Sequence, residues 1–327
     1  MSIEEIIKKY SNLGVTIRSD ILNIFIDFLK STFDFSKIHP YDWSDNNFWL
    51  EKSLGPQKVS QYFSIGNSIN FKFWDFKDDR ISYVEGIKGG LECKGSSYMW
   101  RCLKVCIENN TYPILNAYKL SRISLDNFKK IFETDSRENI MTCIDQRWLN
   151  LKNLGLMLEN EFKGLFYNLI IQSDNSIIKF MKLSKKFRAF DDPIYKLTMV
   201  NAILHQGRGL TTFKNIYPGI DYHLITQVLR IGLLKLDKKL EKKLIKRQLL
   251  SHTESLILRS QTLRCLNQIS KELNTSGDII DNIFFKNGKK YCTHNLICQK
   301  SRNSCIFEGC CEKNINFFIP LEITRYY

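Results

Sequence analysis

One acidic residue of this chain, Asp221, stands where a carboxylate could take part in chemistry. It follows the turn residues Pro218 and Gly219 and precedes apolar residues at helical spacing, among them Leu224 and Val228. A carboxylate at a helix start either accepts a backbone N–H bond as an N-cap or points into a pocket as a reactive group. The local pattern favours the N-cap, because N-caps far outnumber catalytic acids. The rest of the chain has to decide between the two.

A second segment, Asn70-Phe71-Lys72-Phe73-Trp74, is dense in aromatic side chains. Aromatic rings stack on nucleobases, and an Asn amide can pair with a base edge. The alternating aromatics would equally fill the core as a strand, so the segment does not decide between binding and packing.

A third segment, Tyr195-Lys196, falls in the first turn of a helix that Asp192-Pro193 is predicted to open. Backbone N–H groups and the helix dipole at such a position favour anions, and a lysine ammonium adds to that preference. A bound phosphate is one interpretation, and a solvated lysine is the commoner one.

Potential metal ligands crowd the C-terminal part of the chain. They are Cys292, His294, Cys298, Cys305, Cys310 and Cys311. Their spacing lacks the paired Cys-x-x-Cys of ordinary zinc modules, so free thiols are favoured over a structural zinc or iron–sulfur site. We therefore predict no metal and no cofactor.

The elements that must position these residues are predicted to be mainly α-helical. The 327 residues are 43% hydrophobic, and only 16 Gly and 6 Pro punctuate them, too few for a chain of many short strands. Helices are predicted over 3–33, 97–110, 140–162, 164–188, 222–236, 238–250 and 254–273. A small β or loop element is predicted near 60–95, and a Cys-rich insertion at about 290–312. We expect one α-rich domain over residues 1–327.

The formal charge of +14 favours anionic partners such as nucleic acid, a nucleotide phosphate or a membrane surface. Much of the excess lies in 235–247, which reads as an amphipathic helix with a basic, solvated outer face. No secretory signal and no apolar run of roughly 20 residues is visible. We therefore expect a cytoplasmic protein with no membrane partner.

Taken together, these segments resemble the queuosine salvage protein family, the queuosine 5′-phosphate N-glycosylases, from about residue 60 to the end. The family's Leu-Asn-Phe-x-Phe-Trp is similar to residues 69–74, and its Gln-Ser-x-Asn-Ser to 172–176. Its Phe-Tyr-Lys resembles 194–196, and its Phe-Lys-Asp-Ile and Asp-Tyr-Arg blocks resemble 213–216 and 221–223. A later Asp-x-x-Leu-Trp is similar to 281–285, and Tyr326-Tyr327 closes the chain in the family manner.

The resemblance implies a mainly helical fold related to helix-hairpin-helix DNA glycosylases. It also implies hydrolysis of queuosine 5′-monophosphate, which releases queuine for reinsertion into tRNA. In the family, the Asp of Asp-Tyr-Arg is the catalytic carboxylate and the Lys of Phe-Tyr-Lys contacts the 5′-phosphate. Those roles fall on Asp221 and Lys196.

The remaining predicted site residues would form the walls around the base and sugar. They are Asn70, Phe71, Trp74 and Tyr222. The chain departs from the family pattern at Asn67, which replaces an acid, and at Leu197 and His223, which each replace an Arg. The family's Pro-Gln after Asp-Tyr-Arg aligns with Ile225-Thr226, and Gln227 matches only with a one-residue shift. These departures concern the surroundings of the site more than the reaction.

Two alternatives to this function remain. One is a non-catalytic relative of DNA glycosylases that binds nucleic acid, whose affinity would fall steeply with salt. The other is a glycosylase for another 7-deazapurine nucleotide, which Asn67 leaves open. The preferred prediction is an enzyme whose partner is a small nucleotide and which forms no stable nucleic-acid complex.

Overall fold

The structure, a computed structural model, describes residues 3–11, 13–77, 80–292, 298, 305–322, 324 and 326. Its elements up to residue 94 are α1 (Ile3–Lys9), β1 (Val15–Ile17), α2 (Ser19–Thr32), α3 (Pro56–Ser68), β2 (Trp74–Lys77), β3 (Arg80–Tyr83), β4 (Glu85–Lys88) and β5 (Leu91–Lys94). The following ones are α4 (Ser96–Glu108), α5 (Ala117–Ser121), α6 (Leu125–Ile131), α7 (Ile144–Phe162), α8 (Phe166–Ser173), α9 (Ile177–Ser184), α10 (Lys196–Gly207), α11 (Tyr222–Ile231), β6 (Leu234–Leu236), α12 (Lys238–Ile245), α13 (His252–Glu272) and α14 (Gly277–Lys290). The predicted mainly α-helical class is confirmed.

Contacts along the chain divide it into two compact units. Unit 1 comprises Met1–Pro40 and Asn215–Ile323, and unit 2 comprises Tyr41–Lys214 and Thr324–Tyr327. A single domain over residues 1–327 and a relationship to DNA glycosylases both stay predictions.

Unit 1 is built around α13, the longest of its helices among the described residues. A capping box starts this helix, because Ser251 and Glu254 each bond the other's backbone N–H, at 3.2 and 2.8 Å. Helix α11 packs against both α13 and α14. Strands β1 and β6 pair antiparallel, with Thr16 opposite Lys235.

Unit 2 is centred on α3, whose residues from Val59 to Ser68 are all buried. Its length of 13 residues and its contacts with α7, α8 and α10 make it the central helix of this unit. Two antiparallel hairpins, β2–β3 and β4–β5, follow it. The second turns at Gly89 and Gly90, both at positive φ, a conformation that glycine adopts without strain.

Several predicted boundaries differ from the observed ones. The β element predicted near 60–95 begins only at Trp74, because the preceding residues up to Ser68 are helical. The helix predicted over 164–188 is interrupted where Asp174 and Asn175 adopt left-handed backbone conformations. The helix predicted over 222–236 ends at Ile231, and a strand follows it.

None of the helices in the described part of the chain has both the length and the hydropathy that crossing a bilayer requires.

Candidate active site

Asp221 is the N-cap of helix α11. Its backbone is extended, and its Oδ1 accepts the N–H groups of His223 at 2.8 Å and Leu224 at 3.0 Å. The N-cap interpretation of the sequence is thus confirmed. The other carboxylate oxygen, Oδ2, accepts no hydrogen bond from any residue that the structure describes. The side chain is partly exposed, and one oxygen caps the helix while the other has no bond among the described residues.

The turn that leads to Asp221 rests on the start of α14. The N–H of Gly219 donates to Oδ2 of Asp281 at 2.7 Å, and the N–H of Gly277 donates to the carbonyl of Ile216 at 3.1 Å. A side chain at position 277 would lie 2.2 Å from that carbonyl oxygen, so the close approach requires glycine. The backbone before Asp221 is therefore fixed at two points.

Helix α11 is also tied to α14 along its length by Gln227. This buried amide donates to the carbonyl of Phe284 at 2.7 Å and accepts from Nδ2 of Asn287 at 2.9 Å. Because a buried amide without partners is costly, these bonds fix the spacing of the two helices.

Tyr222, predicted to line the site, is the first residue of α11 and is 8% exposed. Its ring lies 4.4 Å from the ring of His223, at 45° to it. Most of the Tyr222 side chain is therefore packed, and the His223 ring lies against it.

Lys196 begins α10, three residues later than Pro193, which the sequence placed at the first helical position after Asp192 as N-cap. The buried carboxylate of Asp192 accepts the N–H of Lys196 at 2.8 Å and that of Ile194 at 3.2 Å. The N–H of Lys196 at the start of this helix is therefore bonded within the protein. The predicted phosphate contact therefore falls to the ammonium group of Lys196, which donates to the carbonyl of Asn70 at 2.9 Å.

Phe71 and Trp74 are buried, at 1% and 3% exposure, and strand β2 starts only at Trp74. The guanidinium carbon of Arg147 lies 4.4 Å from the centroid of Phe71, and the ammonium of Lys72 lies 5.0 Å from that of Trp74. Both rings thus face cations, and their role in holding a base stays a prediction.

Asn67, the first departure from the family pattern, is fully buried at the end of α3. Its amide nitrogen donates to the carbonyl of Leu197, and its amide oxygen accepts from Nδ2 of Asn70 at 3.3 Å. Asn67 therefore connects the aromatic segment to the helix that carries Lys196.

The structure assigns the predicted site residues to both units. Asp221 and Tyr222 are neighbours in unit 1, whereas Lys196, Asn70, Phe71 and Trp74 belong to unit 2. Within unit 2, Lys196 and Asn70 are in direct contact.

Sequence reasoning missed two residues that hold these segments in place. Arg147 is fully buried on α7 and donates to the carbonyls of Ile69, Phe71 and Lys72. Nothing in its local sequence distinguishes it from a solvated helix residue. Asp281 was recognised only as part of a family-like block, and its bond to Gly219 could not be read from spacing.

None of the ten cysteines, all of which lie within the described residues, forms a disulfide bond. Cys292, Cys298, Cys305 and Cys311 line one cavity of about 30 Å³ in unit 1. Burial raises the pKa of the Cys311 thiol to about 11, which keeps it protonated near neutral pH.

Among the described residues, no group of three or more His, Cys, Asp and Glu side chains is placed to hold a metal ion. His294 and the residues around it in the predicted Cys-rich insertion lie outside the described residues.

Comparison with known proteins shows what the chain is similar to. A family model described as "Queuosine salvage protein" matches residues 50–307. A protein of Sphaerobacter thermophilus named queuosine 5′-phosphate N-glycosylase/hydrolase is 24% identical over 165 residues, which are 50% of this chain and 47% of that relative. Mouse (Mus musculus) and cattle (Bos taurus) proteins of the same name are 25% and 26% identical, over 63% and 57% of this chain. These matches span 66% and 58% of those relatives, so the chain matches less than two thirds of the length of each.

Proposed function

Because this chain belongs to the queuosine salvage protein family, we propose that it hydrolyses the N-glycosidic bond of queuosine 5′-monophosphate. The products are queuine and ribose 5-phosphate, and the queuine becomes available for reinsertion into tRNA. The observation that carries the proposal is the family match over residues 50–307, which includes Asp221 and Lys196. The names of the relatives from Sphaerobacter thermophilus, mouse and cattle support the same reaction.

Asp221 is the catalytic residue in this proposal. Cleavage of the bond between the ribose carbon and the base nitrogen builds positive charge on the ribose, as in other glycoside hydrolyses. A carboxylate close to the sugar stabilises that charge and orients or deprotonates the attacking water. The oxygen assigned to this role is Oδ2, because Oδ1 is bonded to two backbone N–H groups.

The chemistry of the base makes stabilisation of the sugar by that carboxylate more important. In a 7-deazaguanine, position 7 is carbon, so protonation there cannot help the base to leave. The barrier must be lowered on the sugar side and through hydrogen bonds to the remaining base edge. During the reaction the C–N bond breaks, a C–O bond forms with water, and the proton from water passes to the departing base.

Lys196 binds the 5′-phosphate, and Asn70, Phe71, Trp74 and Tyr222 bind the base and the sugar. The support for Lys196 is its place in the family-like segment 194–196 and its ammonium group beside the carbonyl of Asn70.

The substrate is a small nucleotide, and the proposal places the reaction in the cytoplasm without a stable nucleic-acid complex. A charge of +14 suits a dianionic phosphate as well as a polymer. A nucleic-acid-binding protein would show affinity that falls steeply with salt and does not depend on Asp221.

The test is incubation of the purified chain with queuosine 5′-monophosphate and detection of free queuine and ribose 5-phosphate by mass spectrometry. Guanosine 5′-monophosphate and a second 7-deazapurine nucleotide are assayed in parallel. Release of queuine by the wild type and not by Asp221→Asn is the expected result. No release from queuosine 5′-monophosphate, or equal release by the variant, would refute the proposal.

A further inference from the structure

Asp281 is a buried carboxylate on α14, in the same unit as Asp221. We propose that Asp281 is a positioning residue for hydrolysis, which holds the backbone turn that fixes the direction of the Asp221 carboxylate. The inference rests on the proposed function, in which Asp221 is the reacting group.

The contact that supports this role is short and shielded from water. Oδ2 of Asp281 accepts the N–H of Gly219 at 2.7 Å, and Asp281 is 8% exposed. A hydrogen bond to a carboxylate oxygen in buried surroundings is stronger than one exposed to water. Its removal would leave the N–H of Gly219 buried without an acceptor, and the turn would have to move to regain one.

Movement of this turn would reach Asp221 directly. Gly219 precedes Asp221 by two residues, and Ile220 between them is fully buried. On the other side, Oδ1 of Asp221 is anchored on the N–H groups of α11. The orientation of Oδ2 is thus set by an anchor on each side, one of which is Asp281.

Helix α14 gives Asp281 a rigid support. Its first residue, Gly277, bonds the carbonyl of Ile216, and its Phe284 carbonyl accepts from Gln227 of α11. Asp281 lies between these two points on the same helix. A reacting group held by regular elements is placed more accurately than one held by a loop alone.

A purely structural role makes a different prediction. If Asp281 had only a structural role, its substitution would lower the stability of unit 1 and leave the turnover of the folded enzyme unchanged. A positioning role lowers kcat at constant substrate affinity, since misplacement of a reacting group by about 1 Å costs on the order of 100-fold in rate.

The experiment compares Asp281→Ala, Asp281→Asn and the control Asp237→Ala in steady-state assays and thermal melts. Asp237 caps α12 in the same unit through the N–H of Leu240 at 2.8 Å, so its loss also removes a carboxylate acceptor. We expect Asp281→Ala to lose about 30- to 100-fold in kcat with KM changed by less than about threefold. Asp281→Asn keeps an oxygen acceptor and should recover most of that loss, and Asp237→Ala should melt earlier with kcat unchanged.

Wild-type kcat in Asp281→Ala, or an equal loss of kcat in Asp237→Ala, would overturn the positioning role. Should Asp281→Ala fail to fold, Asp281→Ser, whose hydroxyl is one bond too short to reach Gly219, carries the same expectation. An inactive wild type would refute the proposed function, whereas an active wild type with an unaffected Asp281→Ala would refute this inference alone.

Discussion

The ammonium group of Lys196 donates a hydrogen bond of 2.9 Å to the backbone carbonyl of Asn70. The two residues are 126 positions apart in the sequence, and each was predicted separately to bind the substrate. Lys196 is 5% exposed, so its side chain is held in place before any ligand arrives. A cation held in this way binds a phosphate with little loss of side-chain entropy.

Lys196→Ala should weaken the reaction with the nucleotide more than that with the nucleoside. Because a charge-assisted bond to the phosphate is lost, kcat/KM for queuosine 5′-monophosphate should fall by about 10- to 100-fold. Steady-state assays on nucleotide and nucleoside measure the difference. Lys179→Ala, which removes an exposed lysine of the same unit, is the control. Equal losses on both substrates would contradict the phosphate role.

Asp221→Asn should fold like the wild type and lose hydrolysis by about 1,000-fold or more. Asparagine is as good an N-cap as aspartate, so α11 keeps its first-turn bonds while the negative charge is removed. Circular dichroism melts and single-turnover assays separate the two effects. Asp237→Asn makes the same change at the N-cap of α12 and should retain full activity. Turnover of Asp221→Asn close to that of the wild type would remove Asp221 from the mechanism.

His205 should make the folded state less stable in acid. Burial lowers the pKa of His205 to about 4, although its ring nitrogens bond the hydroxyl of Ser60 and the carbonyl of Asn201. The unfolded chain therefore binds a proton at this side chain near pH 6.5, whereas the folded chain binds it only near pH 4. Stability is unaffected above pH 6.5 and is lost as the pH falls from there toward 4.

Urea unfolding at pH 7 and at pH 5 measures this effect. Between pH 7 and pH 5, the free energy of unfolding of the wild type should fall by about 2 kcal/mol more than that of His205→Gln. His39→Gln replaces an exposed histidine and serves as the control. The same loss in wild type and His205→Gln would show that His205 does not set the acid sensitivity.

Arg147→Met should destabilise unit 2. The guanidinium donates to the carbonyls of Ile69, Phe71 and Lys72, and methionine fills a similar volume without replacing any of these bonds. Leaving buried carbonyls without donors costs about 3 kcal/mol or more in the free energy of unfolding. Arg122→Met breaks an exposed ion pair with Glu159 and should cost less than about 1 kcal/mol in the same denaturant titration. Similar costs for both variants would contradict the support role of Arg147.

Local sequence patterns predicted those features whose cause is also local. The N-cap at Asp221 depends on a few neighbouring residues, and it is confirmed. The family resemblance is likewise confirmed, by the match over residues 50–307. The start of α10 was misplaced because Asp192 bonds the N–H of Lys196 from outside the helix, and sequence spacing cannot distinguish that arrangement from an N-cap.

The sequence by itself determined the helical class and the family. Helix periodicity, capping and motif spacing are properties of short segments, so they can be recognised from the sequence alone. Only the tertiary structure decided which oxygen of Asp221 is left unbonded, that Asp281 holds the turn before it, and that Arg147 supports the aromatic segment. These are contacts between residues 60 or more positions apart for Asp281 and Arg147. They arise because a buried polar group must find a partner wherever packing brings one within reach, and no local pattern records that choice.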